Sequence, residues 1–323
     1  MPRVIAITSG KGGVGKSNFA INAGIALAMM DNRVQILDAD LGLANLDILL
    51  GIRPQKTLED VVLGHADIRD IVIQTDYRIE IIPGSSGQQS MANLKADRLH
   101  DLIGSIMEVS SNADFLIVDT GAGISSTVIA FLMALKEVVV GVTPEPTSLT
   151  DAYSLIKVLN NNGFDGKIDI FASMTTDIAM GRTIHKKISS AAQRFLNIPI
   201  GYLGCVCKSS QLPMAVKDQV PVIVRFPSSE IARSYRILAT KLLGHQGMVI
   251  DHEKFWSRLL KMLVTAAPTR NVRTISFNGD STPAQFEKTI HDILDEQRRT
   301  RLLLERLVSQ MDQDAVRAHK NVG

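Results

Sequence analysis

Apolar and polar positions along this chain follow two alternating rhythms. Short, mostly apolar runs are separated by longer stretches whose apolar residues recur every three or four positions. "RVIAITS" (3–9) is a continuous apolar run ending in a glycine-rich turn, which predicts a strand buried on both faces. "SNFAINAGIALAMM", from Ser17, has the period of a helix. "NRVQILDAD", "YRIEIIPG", "ADFLIVDTGAG", "KEVVVGVTPEP", "KIDIFASM" and "PIGYLGCVC" repeat the strand signal, the fourth of them stopped by two prolines. "KADRLHDLIGSIMEVS", "STVIAFLMAL", "SLTDAYSLIKVLNNNG" and "SSEIARSYRILATKLLG" repeat the helical one. Ser148 is the N-cap candidate of the third helix and Gly163 closes it. Alternation at this spacing predicts an α/β fold with a mainly parallel central sheet and helices on both faces.

After Gly244 the alternation stops. Two amphipathic stretches follow, "KFWSRLLKMLV" (254–264) and "RRTRLLLERLVSQM" (298–311), joined by a polar linker at 267–284. A boundary near 245–250 divides an α/β domain (1–245) from a helical C-terminal extension (246–323).

With 323 residues, 45% of them hydrophobic and 21% charged, the chain has the make-up of a globular protein with a sizeable core. Its net charge of +2 provides no long-range pull toward nucleic acid. Cys205 and Cys207 sit two apart, so on a strand they share a face and cannot easily bridge. No second cysteine pair or nearby His completes a metal site, and reduced cysteines of a cytosolic core are the expectation. The chain runs directly into a strand with no signal peptide. No stretch reaches the roughly 18 apolar residues that cross a bilayer. The expected place is the cytoplasm, with any membrane contact at the surface.

"TSGKGGVGKSNFA" fits the phosphate-binding pattern G-x-x-x-x-G-K-[ST] with Gly10, Gly15, Lys16 and Ser17. It lies between a strand and a helix, the context this loop requires. The glycines turn consecutive backbone N–H groups onto phosphate oxygens, and the helix N-terminus adds its dipole. Lys16 reaches the β- and γ-phosphates, and the Ser17 hydroxyl ligates Mg²⁺. Asp119 ends an apolar strand and suits a carboxylate that holds a Mg²⁺-bound water, with Gly121 and Gly123 forming a turn beside the γ-phosphate. Asp38 and Asp40 point the same way at another strand's carboxyl end, where ligands bind in open α/β sheets. Asp40, at the loop start, is the candidate to orient the attacking water and to approach the metal through water. Asp38 reads as a supporting group and Asp47 as a turn cap.

A second lysine, Lys11, follows the first glycine. "KGGVGKS" with that lysine resembles the deviant Walker A of the MinD/ParA ATPases, a signature shared with nitrogenase iron protein and arsenite pumps. The resemblance implies a P-loop NTPase fold, ATP and Mg²⁺ as ligands, and hydrolysis within a nucleotide-sandwich homodimer. It also implies that Lys11 contacts the phosphates bound by the other subunit. Charge developing on the transferring phosphoryl is then stabilised only when two subunits meet. Catalysis would rest on Lys11, Lys16 and Asp40. Nucleotide binding would involve Gly10, Lys11, Gly12, Gly13, Val14, Gly15, Lys16, Ser17 and Asn18, with Asp119, Gly123 and Glu145.

"DADLGLANLDILLG" resembles a MinD-type switch I, including Asn45 and Asp47. "DTGAGIS", "TPEPTSLTDAYSLIKVL", "IIPGSSG" and "RFLNIPIGYLG" are similar to the flagellar-number subgroup, FlhG or FleN, over roughly residues 1–243. This implies that Glu145 and Asp151 lie at the sandwich interface. It also implies an SRP-type flagellar GTPase, a flagellar transcription activator or a switch-complex protein as partner. The subgroup's N-terminal activating segment does not precede the first strand. Ser173 stands where relatives often carry an adenine-reading Asn, and "CVCKSS" replaces a Pro-containing adenine loop, so ATP is implied by the family.

In "KFWSRLLKMLV", Phe255, Trp256, Leu259, Leu260 and Leu263 share a face flanked by Arg258 and Lys261, the pattern of an interfacial membrane helix. Dimerisation would present two copies and so switch membrane attachment at the inner face. The second stretch, with Leu303, Leu304, Leu307, Val308 and Met311 on one face, suits a membrane or a protein partner equally. The leading expectation is a dimerising ATPase switch that sets the number or placement of flagella. Rival readings are another positioning ATPase for the division site, DNA or other cargo, an iron–sulfur carrier and an amide ligase. The small net charge and lack of a Lys/Arg run count against a nucleic-acid partner, and the Cys-Val-Cys context counts against the iron–sulfur carrier.

Overall fold

A computed structural model describes residues 2–40, 45–84, 104–106 and 108–244. The tail stretches with Phe255, Trp256 and Leu303, most of "KADRLHDLIGSIMEVS" and residues 41–44 of the switch I resemblance lie outside the described residues.

Eight strands form one sheet in the order β3-β4-β2-β5-β1-β6-β7-β8. They are β1 (Arg3–Ser9), β2 (Val34–Ala39), β3 (Ile73–Gln74), β4 (Ile79–Ile82), β5 (Phe115–Ala122), β6 (Glu137–Val142), β7 (Lys167–Thr175) and β8 (Gly201–Cys207). Every pairing is parallel except β3 with β4. The longer helices are α1 (Lys16–Ala28), α5 (Ser126–Ala134), α6 (Pro146–Asn161), α7 (Ile178–Leu196) and α10 (Glu230–Gly244). Short helices are α2 (Leu46–Leu50), α3 (Leu58–Leu63), α4 (Ile68–Ile71), α8 (Gln211–Lys217) and α9 (Val222–Arg225).

The apolar runs are continuous because each strand feeds two cores. Val4 and Ala6 join one cluster with Val118, Val140 and the inner faces of α5, α6 and α7. Ile5 and Ile7 join the other with Ile117, Val139, α1 and α10. In the second core Phe19 of α1 stacks on Phe171 of β7, ring centroids 4.3 Å apart. The amino end of the sheet is tied by Arg3. Its guanidinium donates to Glu137 Oε1 (2.8 Å) and Oε2 (2.5 Å), and also to the Leu242 carbonyl at the end of α10.

Three local expectations change. The helix after the phosphate loop begins at Lys16, one residue earlier than the sequence pattern places it. The N-cap of α6 is Glu145, because Pro146 occupies the first helical position, where its missing N–H costs nothing. Ser148 is therefore not the cap: it lies buried in the first turn, and its hydroxyl accepts the Thr143 N–H (3.0 Å). The sequence reading passed over α7. Its buried residues Gly181, Ile184, Ile188 and Ala192 keep a clear helical period, on a helix whose remaining faces are largely polar. Asp177 caps it, accepting the Met180 N–H at 2.7 Å.

Candidate functional site

The carboxyl ends of β1, β2, β5, β6 and β7 converge around one loop. Gly13 (φ 77°) and Gly15 (φ 93°) hold left-handed backbone that lets the chain double back before α1. Gly10 is demanded by contact instead: a Cβ there would stand 2.2 Å from the Asp151 backbone of α6. Ser9 fixes the start of the turn, its hydroxyl donating to the Lys11 carbonyl at 2.6 Å. Val14 is buried, whereas Lys11, Gly12 and Gly13 are exposed. The loop thus presents backbone N–H groups and the open end of α1 to solvent, with Lys16 buried at its base. Asn18 is half-buried on the first turn of α1, where its carbonyl accepts from Asn22 (2.8 Å).

Asp119 is buried at the end of β5. Burial pushes its carboxyl up to about 6, against the opposing pull of the Ser17 hydroxyl bonded to it and the Lys16 charge. Among the described residues its Oδ1 has no partner. Asp38 stands beside it in the β2–β5 register. Burial first, and the Asp119 charge second, raise Asp38 to about 7, although it accepts the Asp40 N–H at 3.1 Å. Asp40 lies half-buried against Gly121, where a Cβ would approach its Oδ1 to 3.3 Å. Gly123 (φ 94°) ties the following turn back to β1, its N–H donating to the Ser9 carbonyl at 2.9 Å.

On the solvent rim Lys11 pairs with Glu145: Nζ lies 2.7 Å from Oε2 and 3.3 Å from Thr147 Oγ1. The contact raises the lysine and lowers the glutamate relative to their ordinary values. Lys208, after β8, adds its charge to the same glutamate. Ser173, at the end of β7, is nearly buried beneath the loop, and a Cβ at Gly15 would lie 3.5 Å from its hydroxyl.

The structure therefore gathers Gly10 to Asn18, Asp38, Asp40, Asp119, Gly123 and Glu145 at one edge. Asp47 sits in the first turn of α2 and accepts the Ile48 N–H (2.7 Å), a local role. Ser9 and Thr147 are participants the sequence pattern passed over: both lie within quoted motifs without being singled out, and only the fold turns their hydroxyls toward Lys11. Chemically, a ring of backbone donors, a buried lysine and a helix N-terminus make an anion cradle. A buried carboxylate with an unpartnered oxygen, bonded to a serine hydroxyl, suits a Mg²⁺ held partly through water.

A family model described as AAA domain matches residues 2–165. The antiactivator FleN of Pseudomonas aeruginosa is 40% identical over 240 residues, covering 74% of this chain and 86% of that protein. The chain belongs to the MinD/ParA family of P-loop ATPases. Within it, the flagellum site-determining protein YlxH of Helicobacter pylori is 33% identical, covering 81% of this chain and 90% of that protein. The septum site-determining protein MinD of Pyrococcus horikoshii, solved with Mg-ADP, superposes with a TM-score of 0.61 at 26% identity, covering 77% of this chain and all of that one. As a MinD/ParA ATPase of the FlhG/FleN subgroup, the protein hydrolyses ATP; its loop, Lys16 and Asp119 lie together at the carboxyl edge of the sheet. Among the described residues no helix is long and apolar enough to cross a membrane.

Proposed function

We propose that this ATPase is a dimerising switch that sets the number or placement of flagella, assembling at the inner face of the cell membrane when ATP is bound. The flagellar assignment rests on its similarity to FleN and YlxH. The observation that carries the switch is the rim pair Lys11–Glu145. Lys16 is buried at the base of the cradle, whereas Lys11 is exposed and held away by a carboxylate of its own chain. One lysine then serves bound phosphate in cis. The other must leave Glu145 to serve a second copy in trans.

In that reading the Gly10–Ser17 backbone and Lys16 bind the phosphates, and Ser17 and Asp119 hold Mg²⁺, Asp119 through water. When bound, Mg²⁺ neutralises charge between the β- and γ-phosphate oxygens. Asp40, against Gly121 at the end of β5, orients the water that attacks. Lys11 of each copy stabilises charge developing at the other's site, so turnover follows association. Partners follow from relatives: a flagellar GTPase, transcription activator or switch-complex protein.

The experiment compares Lys11→Ala with Lys16→Ala by nucleotide titration and analytical ultracentrifugation. Lys16→Ala should lose nucleotide binding. Lys11→Ala should bind ATP and stay monomeric. A Lys11→Ala protein that dimerises normally with ATP would end the trans-lysine reading.

A further inference from the structure

The two edges of the sheet are unlike. The β3 edge is two residues long, a common way of blunting an edge against stray pairing. At the other edge β8 runs for seven residues, and among the described residues no strand pairs with it beyond β7. Its sequence, "GYLGCVC", carries neither a charge nor a proline. The ladder to β7 slips at Leu203 and again at Met174, but between the slips Gly204, Cys205 and Val206 pair in register with Phe171, Ala172 and Ser173.

Basic residues predominate around this edge, although the Asp169 carboxylate of β7 lies against Gly201, where a Cβ would meet its Oδ1 at 1.8 Å. From Ile178 to Lys217 the sequence contains Arg182, Lys186, Lys187, Arg194, Lys208 and Lys217 but no Asp or Glu. Cations flank the strand from both layers. Lys241 of α10 places Nζ 5.5 Å from the centre of the Tyr202 ring on β8. Arg182 of α7 is close enough to act on the Tyr202 hydroxyl by charge. Arg182 and Lys186 are exposed, and neither forms an ion pair among the described residues.

We propose that the free edge of β8 accepts an extended acidic segment of a partner protein as a ninth strand, with its carboxylates held by Arg182 on one face and Lys241 on the other. Backbone groups of the edge supply the hydrogen bonds, and acidic side chains on both faces of the added strand supply the choice of partner. A polypeptide fits better than a nucleic acid. An edge strand offers carbonyl acceptors as well as N–H donors, and a phosphodiester chain uses only the donors. The inference does not depend on the flagellar reading.

The test uses the full chain and a fluorescein-labelled ten-residue Thr–Glu peptide of Thr-Thr-Glu-Glu repeats, which puts carboxylates on both faces of a strand, read by anisotropy and by amide hydrogen exchange. Expected is saturable binding that slows exchange in residues 201–207. The Thr–Lys analogue and a Thr–Glu peptide interrupted by proline should not bind. Arg182→Glu and Lys241→Glu should each weaken binding about tenfold while leaving ATP turnover and circular dichroism unchanged. Exchange in 201–207 that is already slow without peptide would show the edge filled by the chain itself, and the proposal would fail. It fails equally if the Thr–Lys peptide binds as well, if the β8 amides do not respond, or if a 20-base-pair DNA duplex displaces the peptide.

Discussion

Asp38 and Asp119, side by side in the β2–β5 ladder, make the site sensitive to pH. Asp38 is raised from 3.8 to about 7, chiefly by burial, so the folded chain holds that proton more tightly than the unfolded one. Stability is therefore greatest below the ordinary carboxylate range and is lost as pH rises toward about 7. Asp38→Asn keeps an acceptor for the Asp40 N–H and removes the buried charge. Without nucleotide this variant should be more stable than wild type at pH 8, on the order of 2–4 kcal/mol, with the gain shrinking as pH falls toward 4. Denaturant titration across that range checks it, and a gain independent of pH would mean that burial of the charge is not the cause. Asp40 is different, because its carboxylate is only half-buried and lies against Gly121, which belongs to the end of β5 and not to the turn expected for it. Asp40→Ala should retain ATP, trap the dimer and lose turnover by about 10²–10⁴. Single-turnover hydrolysis separates that from a binding defect.

At the scale of elements, the pair between β1 and β6 fastens the amino end of the sheet to α10. Arg3 and Glu137 are both nearly buried and bonded through two nitrogens. Glu137→Ala leaves a guanidinium without its carboxylate and should cost about 3–5 kcal/mol, seen as a lower denaturation midpoint with unchanged slope. Elements of this kind were open to reading from the sequence to different degrees. β1, β2 and β5 to β8 announce themselves because both faces of each strand are covered, so that only a few polar residues, such as Gln35 and Asp169, interrupt the apolar runs. The phosphate loop is equally legible, since its glycines and Lys16 have no looser substitute. α7 was passed over because most of its residues are polar, although Gly181, Ile184, Ile188 and Ala192 keep the helical period. The Ser148 cap failed for a related reason: capping residues look alike in sequence, and Pro146 fixed the helix start three positions earlier than expected once Glu145 is counted as the cap. The Lys11–Glu145 contact joins residues 134 apart, so no local pattern could display it.

For the whole molecule the decisive variable is copy number. Two copies held by ATP would carry two "KFWSRLLKMLV" segments, and once one is inserted the second acts at high effective concentration. Trp256 is the only tryptophan, so its emission should shift to the blue with ATP and anionic liposomes together and with neither alone. Leu260→Glu should abolish the shift and leave ATP-dependent dimerisation intact. A blue-shifted Trp256 without lipid would instead place that segment in the protein's own core. The sheet order has a consequence of another kind, for a chain still being made. β1 is made before the other described strands, yet it lies between β5 and β6, and Arg3 pairs with Phe115 more than a hundred residues downstream. At ordinary translation rates the first strand waits roughly 5–20 s for a neighbour. Throughout that interval "VIAI" is an unpaired apolar strand on the nascent chain. Births of this protein thus depend on timing: ribosome pausing before residue 115 should raise the share that aggregates, though the finished molecule is identical.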